Sequence, residues 1–192
     1  MSHAVSRPMT VDEFLAWENQ QALKHEFNGF EIVAMVGGTL EHAVIQRNLA
    51  RFIGAALDGR PCQFYGSDAK IVVAGSVRYP DGVVTCTQPA PRSTVAPEPL
   101  VVFEVLSDST ARIDRTEKMD EYQATASVQR YVMLEQTRVM ATVFARELGF
   151  AREFGNWVGR VLHAGDDLAM PEIGISVPLA DLYRDVALDR PG

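Results

Sequence analysis

Cysteine is scarce in this chain. There are two, Cys62 and Cys86, with no Cys-x-x-Cys spacing. That excludes a zinc site built on cysteine pairs and a disulfide framework, and it predicts two small core fillers in a reducing compartment. Long apolar runs are missing too. None approaches the roughly 18 residues that a membrane span needs, so no membrane partner is expected. The first residues, Met1-Ser2-His3-Ala4-Val5-Ser6-Arg7-Pro8, lack the apolar core of a signal peptide, and the expected location is cytoplasmic. Positive charge is in deficit: the formal net charge is −7. This excludes a strongly basic coat that binds nucleic acid without specificity. It leaves room for a nuclease, in which a metal ion neutralises phosphate locally. Repeats, low-complexity tracts and linkers are absent as well. The 192 residues suit one domain with a sizeable core, expected over 9–184 between a tail at 1–8 and another at 185–192.

What is present alternates between helix and strand patterns. Thr10 followed by Glu13 fits a capping box, with Phe14, Leu15 and Trp17 behind it for burial. Asn28-Gly29 between two alternating runs predicts a hairpin, because both residues tolerate positive φ; Glu26 then lies at the end of its first strand. Apolar residues at 45, 49, 52, 53, 56 and 57 predict a long helix from Thr39 or Glu41 to Gly59, carrying Glu41, His42, Gln46 and Arg47 in its first turns. Strands are expected at Cys62–Tyr65, Asp68–Val73, Tyr79–Thr87 and Leu100–Leu106, with a four-proline loop before the last. A helix over Ala111–Ala126 follows, entered through Ser107-Asp108-Ser109-Thr110. Strands at Gln129–Glu135, Val139–Arg146, Phe150–Phe154 and Trp157–His163 and a short helix at Pro178–Tyr183 complete the chain.

Two acids stand out. Asp81 opens a valine-rich strand, and Glu104 is the one charge inside Leu100-Val101-Val102-Phe103-Glu104-Val105-Leu106. Runs apolar on both faces read as interior strands. A carboxylate inside one costs several kcal/mol unless something pairs with it. A divalent cation is one such partner and Lys118 is another. Magnesium takes oxygen ligands and needs only one or two carboxylates, which Asp81 and Glu104 on neighbouring strands would supply, with a backbone carbonyl such as that of Val105. A lysine nearby would stabilise developing negative charge.

Each residue also has a plainer account. Asp81 fits a strand-start acid after proline, Glu26 a surface strand end, and His42 a helix cap. Lys118 fits a partner for Asp114 one helical turn away. Tyr122 fits the packing stripe with Met119 and Ala126, and Arg112 and Arg115 fit a solvated helix face.

The combination is more specific than its parts. Tyr79-Pro80-Asp81 with its Val-rich strand, the run Leu100–Thr110, and Asp114-Arg115-Thr116-Glu117-Lys118-Met119-Asp120-Glu121-Tyr122 together resemble the Uma-two-type restriction endonuclease family of the PD-(D/E)XK superfamily. Thr10–Leu15, Glu26–Glu31 and Tyr131–Leu134 extend the resemblance over about residues 9–184. It implies an α/β fold, a restriction-endonuclease-like α/β/α core with a mixed central sheet, followed by antiparallel C-terminal strands. It implies Asp81 and Glu104 as metal ligands for Mg²⁺ or Mn²⁺ and Glu26 as a further acidic member. The implied activity is DNA phosphodiester hydrolysis by a metal-activated water. The superfamily lysine would fall on Leu106, so the resemblance assigns its role to Lys118. His42 and Tyr122 are candidates to support the ligands, and Arg112 and Arg115 to contact phosphate. A homodimer is expected, since nucleases of this type often cut two strands with two copies and the C-terminal strands offer an edge. The alternative is a nuclease fold without catalysis, serving as a binding or assembly module.

Overall fold

The structure is a computed structural model, and it describes residues 9–35, 37–107, 113, 115–147 and 156–188. Helix α1, Val11–Glu18, opens with the expected capping box: Thr10 accepts from Glu13 N, and the Glu13 carboxylate accepts from Thr10 N. Strands β1, His25–Phe27, and β2, Ile32–Ala34, form the expected hairpin. Its turn is held by Asn28 Oδ1, which accepts from Phe30 N and Glu31 N, and by Gly29 at φ +90°, a region that glycine enters without steric cost. Helix α2, Leu40–Ala56, starts at the cap Thr39.

Four strands follow: β3, Gln63–Gly66; β4, Ile71–Val73; β5, Ser76–Arg78; and β6, Gly82–Thr85. The expected strand over Tyr79–Thr87 is thus shorter, with Asp81 immediately before it. The strand β5 leaves no mark in the pattern, because Ser76-Val77-Arg78 is short and two-thirds polar. Next come β7, Val101–Leu106, helix α3, Glu117–Ala124, and strands β8, Arg130–Glu135, β9, Met140–Glu147, and β10, Asn156–His163. The hairpin of β11, Asp167–Met170, and β12, Ile175–Pro178, and the short helix α4, Leu179–Leu182, close the fold. The start expected for the helix before β8, Ala111–Arg112 and Asp114, and the strand expected at Phe150–Phe154 lie outside the described residues.

The central sheet has six strands in the order β10-β9-β8-β7-β6-β3. It is mixed: β7 and β8 run parallel, joined across α3, while the other pairs are antiparallel. Alternation along β7 separates two cores. Val101, Phe103 and Val105 pack with Ile45, Leu49 and Ile53 of α2, with Leu179 and Leu182 of α4, and with β11 and β12. Val102 and Leu106 face Met119 and Tyr122 of α3, with Ile71 and Val73 of β4. Every β7 residue is buried, as an interior strand covered on both faces requires. A second sheet, β2-β1-β5-β4, carries α1 through Phe14, Phe27 and Val77. Glu104 lies on the α3 side, between Val102 and Leu106.

The cysteines correct the sequence reading: Cys62 and Cys86 are joined as a disulfide. The β3–β6 register pairs Gln63 with Thr85, and one step further puts Cys62 opposite Cys86, with a Cα–Cα distance of 3.9 Å. Cysteine count and spacing carry no information on strand register, and the sequence separation of 24 hides their proximity.

Candidate active site at the ends of β6 and β7

Strand register brings the two acids together. Gly82 pairs with Phe103 in the antiparallel β6–β7 ladder, so one further step places Asp81 opposite Glu104. Directly opposed strand residues have Cβ atoms about 5 Å apart; Asp81 lies just before β6, and its carboxylate meets α2 while that of Glu104 meets α3. The Val105 amide confirms the approach, donating to Asp81 Oδ2 at 2.6 Å. In a strand a residue's N–H and C=O leave on the same edge, so the Val105 carbonyl shares the Asp81 side.

The two carboxylates are held from different layers. On the α3 side, Glu104 is 4% exposed. Its Oε1 accepts from Lys118 Nζ at 2.9 Å and from the Tyr122 hydroxyl at 2.9 Å. Lys118 is 6% exposed and also lies 3.5 Å from Glu26 Oε1. The spacing of four residues puts Lys118 and Tyr122 on one face of α3, and that face looks onto the sheet. Burial first, and then the Glu104 charge, push the Tyr122 hydroxyl pKa upward, so it stays a donor. On the α2 side, Asp81 Oδ1 accepts from Gln46 Nε2 at 2.6 Å, and His42 Nε2 lies 3.3 Å from Oδ2. His42 and Gln46 are one turn apart on α2. Asp81 is also part of the wall of a cleft of about 350 Å³, with Ala43, Gln46, Arg47, Tyr65 and Ser67.

Glu26 sits in the middle of β1, not at its end. It accepts from Tyr79 N at 3.0 Å and from Arg78 Nη1 at 3.2 Å. It therefore fixes the backbone two residues before Asp81 and touches the site through Lys118. Arg78 is buried and also binds Glu121 at 2.6 and 2.8 Å. Burial alone would lower its pKa. The hydrogen bonds and charge of Glu121, with the charge of Glu26, more than reverse this and raise it. Tyr79 is pinned at its far end by Glu18, whose Oε1 accepts from the hydroxyl at 2.7 Å. Glu18 in turn pairs with Lys70.

The structure thus gathers Glu26, His42, Asp81, Glu104, Lys118 and Tyr122. Arg115 instead pairs with Glu135 at 2.7 Å with its side chain half exposed. Arg112 lies outside the described residues, as does Asp114, the plainer partner for Lys118. Sequence reasoning misses Gln46, Arg78 and Glu121 as members of the site. Gln46 has a visible signal in its spacing of four from His42. Arg78 has one too, as a cation directly ahead of Tyr79-Pro80-Asp81.

Among the described residues no three His, Cys, Asp or Glu side chains gather as a metal cluster. The candidate donors are the carboxylates of the two register-opposed residues and the carbonyl edge of Val105. They suit a hard cation such as magnesium, which takes one or two carboxylates and fills its remaining positions with water and substrate oxygens. No helix among the described residues is long and apolar enough to cross a membrane.

The chain is similar to known proteins in sequence and in fold. The chain is 33% identical over 193 residues to the uncharacterized protein slr1290 of Synechocystis sp. (strain ATCC 27184 / PCC 6803 / Kazusa), covering 97% of this chain and 99% of that one. It is 30% identical over 138 residues to the uncharacterized protein sll1609 of the same organism, covering 69% and 78%. In fold it is similar to a crystal structure described as "a putative nuclease belonging to DUF820" from Anabaena variabilis ATCC 29413, with a TM-score of 0.71 and 16% identity over 92% of this chain and 98% of the other. Residues 11–176 match the Uma2 family, described as "Putative restriction endonuclease", and the chain belongs to that family.

Proposed function

We propose that this protein is a magnesium-dependent endonuclease that hydrolyses DNA phosphodiester bonds, with Mn²⁺ able to replace Mg²⁺. The observation that carries the reading is the opposition of Asp81 and Glu104 across β6 and β7, with the Lys118 ammonium 2.9 Å from Glu104. A buried cation beside two carboxylates at the end of a sheet is an arrangement suited to phosphoryl chemistry, which depends on positioning and charge stabilisation. Asp81, Glu104 and the Val105 carbonyl would hold a divalent cation, which would supply Lewis-acid polarisation of the phosphate and a more acidic water. Lys118 holds positive charge where the attacking water loses its proton and where the phosphate gains charge. Tyr122 fixes Glu104, and Glu26 fixes both Lys118 and the backbone entering Asp81. The cleft beside Asp81 gives the strand access to the site, with Arg47 on its wall as a phosphate contact.

A homodimer belongs to the same reading, and so does a cytoplasmic location, although the Cys62–Cys86 disulfide removes free thiols as a sign of a reducing compartment. The edge strand β10, with Val161 half exposed, offers a surface for a second copy.

The test is cleavage of supercoiled plasmid, linear duplex and single-stranded DNA with Mg²⁺ or Mn²⁺. Cleavage that EDTA abolishes and that Asp81→Ala loses is expected. Activity that survives Asp81→Ala rejects the site. Absence of cleavage on every substrate, together with binding of DNA or a partner, supports the binding-module reading, for which the net charge of −7 speaks.

A further inference from the structure

Asp81 is held at more points than a strand-end carboxylate needs. Its Oδ2 accepts from Val105 N at 2.6 Å and lies 3.3 Å from His42 Nε2. Its Oδ1 accepts from Gln46 Nε2 at 2.6 Å. A carboxylate offers about four lone-pair positions, so these two hydrogen bonds and the nearby imidazole leave room for a cation. Only the amide nitrogen of Gln46 can face an ionised carboxylate, because both carboxylate oxygens accept.

The position of Gln46 is informative. The core face of α2 is carried by Ile45, Leu49 and Ile53, and Gln46 lies off it, on the cleft wall with Ala43 and Arg47. An apolar or short residue would satisfy packing there. The amide is the feature that reaches Asp81, and it is the side-chain donor that the structure shows on Oδ1. We propose that Gln46 is a positioning residue, which sets the orientation of the Asp81 carboxylate and thereby the divalent-cation affinity of the site. This rests on the metal-dependent reading above and adds a residue to it.

The physical cause is restriction of rotation. Val105 restrains Oδ2 through the backbone, but a single hydrogen bond leaves the carboxylate free to rock about its χ2 axis within the tolerance of that bond. The bond from Gln46 to Oδ1 limits that rocking. Partners of this kind orient ligands, and their loss typically weakens metal binding by about 10–100-fold. Removing Gln46 should leave the fold intact, since its neighbours Ile45 and Leu49 make the packing contacts.

Manganese affinity of the full-length protein, read from the free Mn²⁺ signal in electron paramagnetic resonance, tests this without relying on cleavage. Gln46→Ala and Gln46→Met are both expected to weaken Mn²⁺ binding by about tenfold, with an unchanged thermal midpoint. Methionine matches glutamine in length and lacks the donor, so it separates packing from hydrogen bonding. The Mg²⁺ concentration for half-maximal DNA cleavage should rise by a similar factor. Wild-type affinity in Gln46→Met overturns the inference and leaves the metal reading standing. Wild-type protein that binds no Mn²⁺, or Asp81→Ala that binds as wild type, overturns the metal reading and the inference with it.

Discussion

The Lys118 ammonium lies 2.9 Å from the Glu104 carboxylate, although Lys118 belongs to α3 and Glu104 to β7, 14 residues earlier. The superfamily lysine position, two residues after Glu104, is Leu106, which is buried in the core beneath α3. The strand therefore uses that position for packing, and the helix returns the charge from the other side. Within the proposed mechanism, Lys118→Met should reduce DNA cleavage by about 10²–10³-fold while DNA binding changes little. Lys118→Arg should not rescue it, since a planar fork does not replace a compact ammonium in a buried space. Single-turnover cleavage rates with matched binding isotherms measure both, and a Lys118→Met rate within about threefold of wild type, against the loss expected of a charge-stabilising group, would remove the residue from the mechanism.

Tyr122 is fully buried and donates to the same oxygen of Glu104 at 2.9 Å. Tyr122→Phe keeps the ring packed edge-on against Tyr131 and deletes only the hydroxyl. A hydrogen bond to a charged partner contributes about 1.5–3 kcal/mol, so the variant should lose stability of that order in urea titrations. Cleavage should fall by about tenfold, because the ligand is loosened and not removed. A variant as stable as wild type would mean that water replaces the hydroxyl at Glu104.

The parts of this site that are legible in the sequence share one trait: they violate a local pattern. Glu104 interrupts an apolar strand, and its need for a partner points to Lys118 from the sequence alone. The helix α2 and the hairpin at Asn28-Gly29 are legible because periodicity and turn chemistry are local signals. What stays hidden depends on register and on pairing between distant segments. The approach of Asp81 to Val105, the contact of Gln46 with Asp81 and the hold of Glu26 on Tyr79 link residues 24, 35 and 53 positions apart, and they leave no periodic trace. The disulfide is the plainest case, since Cys62 and Cys86 are neighbours only because β3 and β6 pair in one particular register.

That disulfide ties the edge strand β3 to β6, the strand that Asp81 precedes. Closing a loop with a sequence separation of 24 restricts the unfolded chain and is worth about 3 kcal/mol in the loop-entropy account. Treatment with a phosphine reductant, or the double change Cys62→Ala with Cys86→Ala, should lower unfolding stability by about that amount. Thiol titration of the denatured, unreduced protein should find no reactive thiol. Two titratable thiols with unchanged stability on reduction would show that the bond contributes nothing in solution.

Acid should unfold this protein partly through Glu18. Its carboxylate is 5% exposed and pairs with the Lys70 ammonium, itself 3% exposed. Burial alone would raise the Glu18 pKa. The hydrogen bonds from Lys70 and Tyr79 outweigh this and hold it below its ordinary value near 4.5. A carboxylate whose pKa is lower in the folded state adds stability above its unfolded pKa, and that stability is lost as pH falls through the folded value. The loss should therefore begin below about pH 4.5 and grow with further acidification. Glu18→Gln removes this titration and strands Lys70 without its counter-ion, at a cost of about 3 kcal/mol at neutral pH. The variant should then show a shallower decline between about pH 5 and 3 than wild type in guanidinium titrations at about five pH values. Parallel declines in the two proteins would mean that Glu18 does not contribute to the acid limb, and that the clamp on Tyr79 draws its strength from packing.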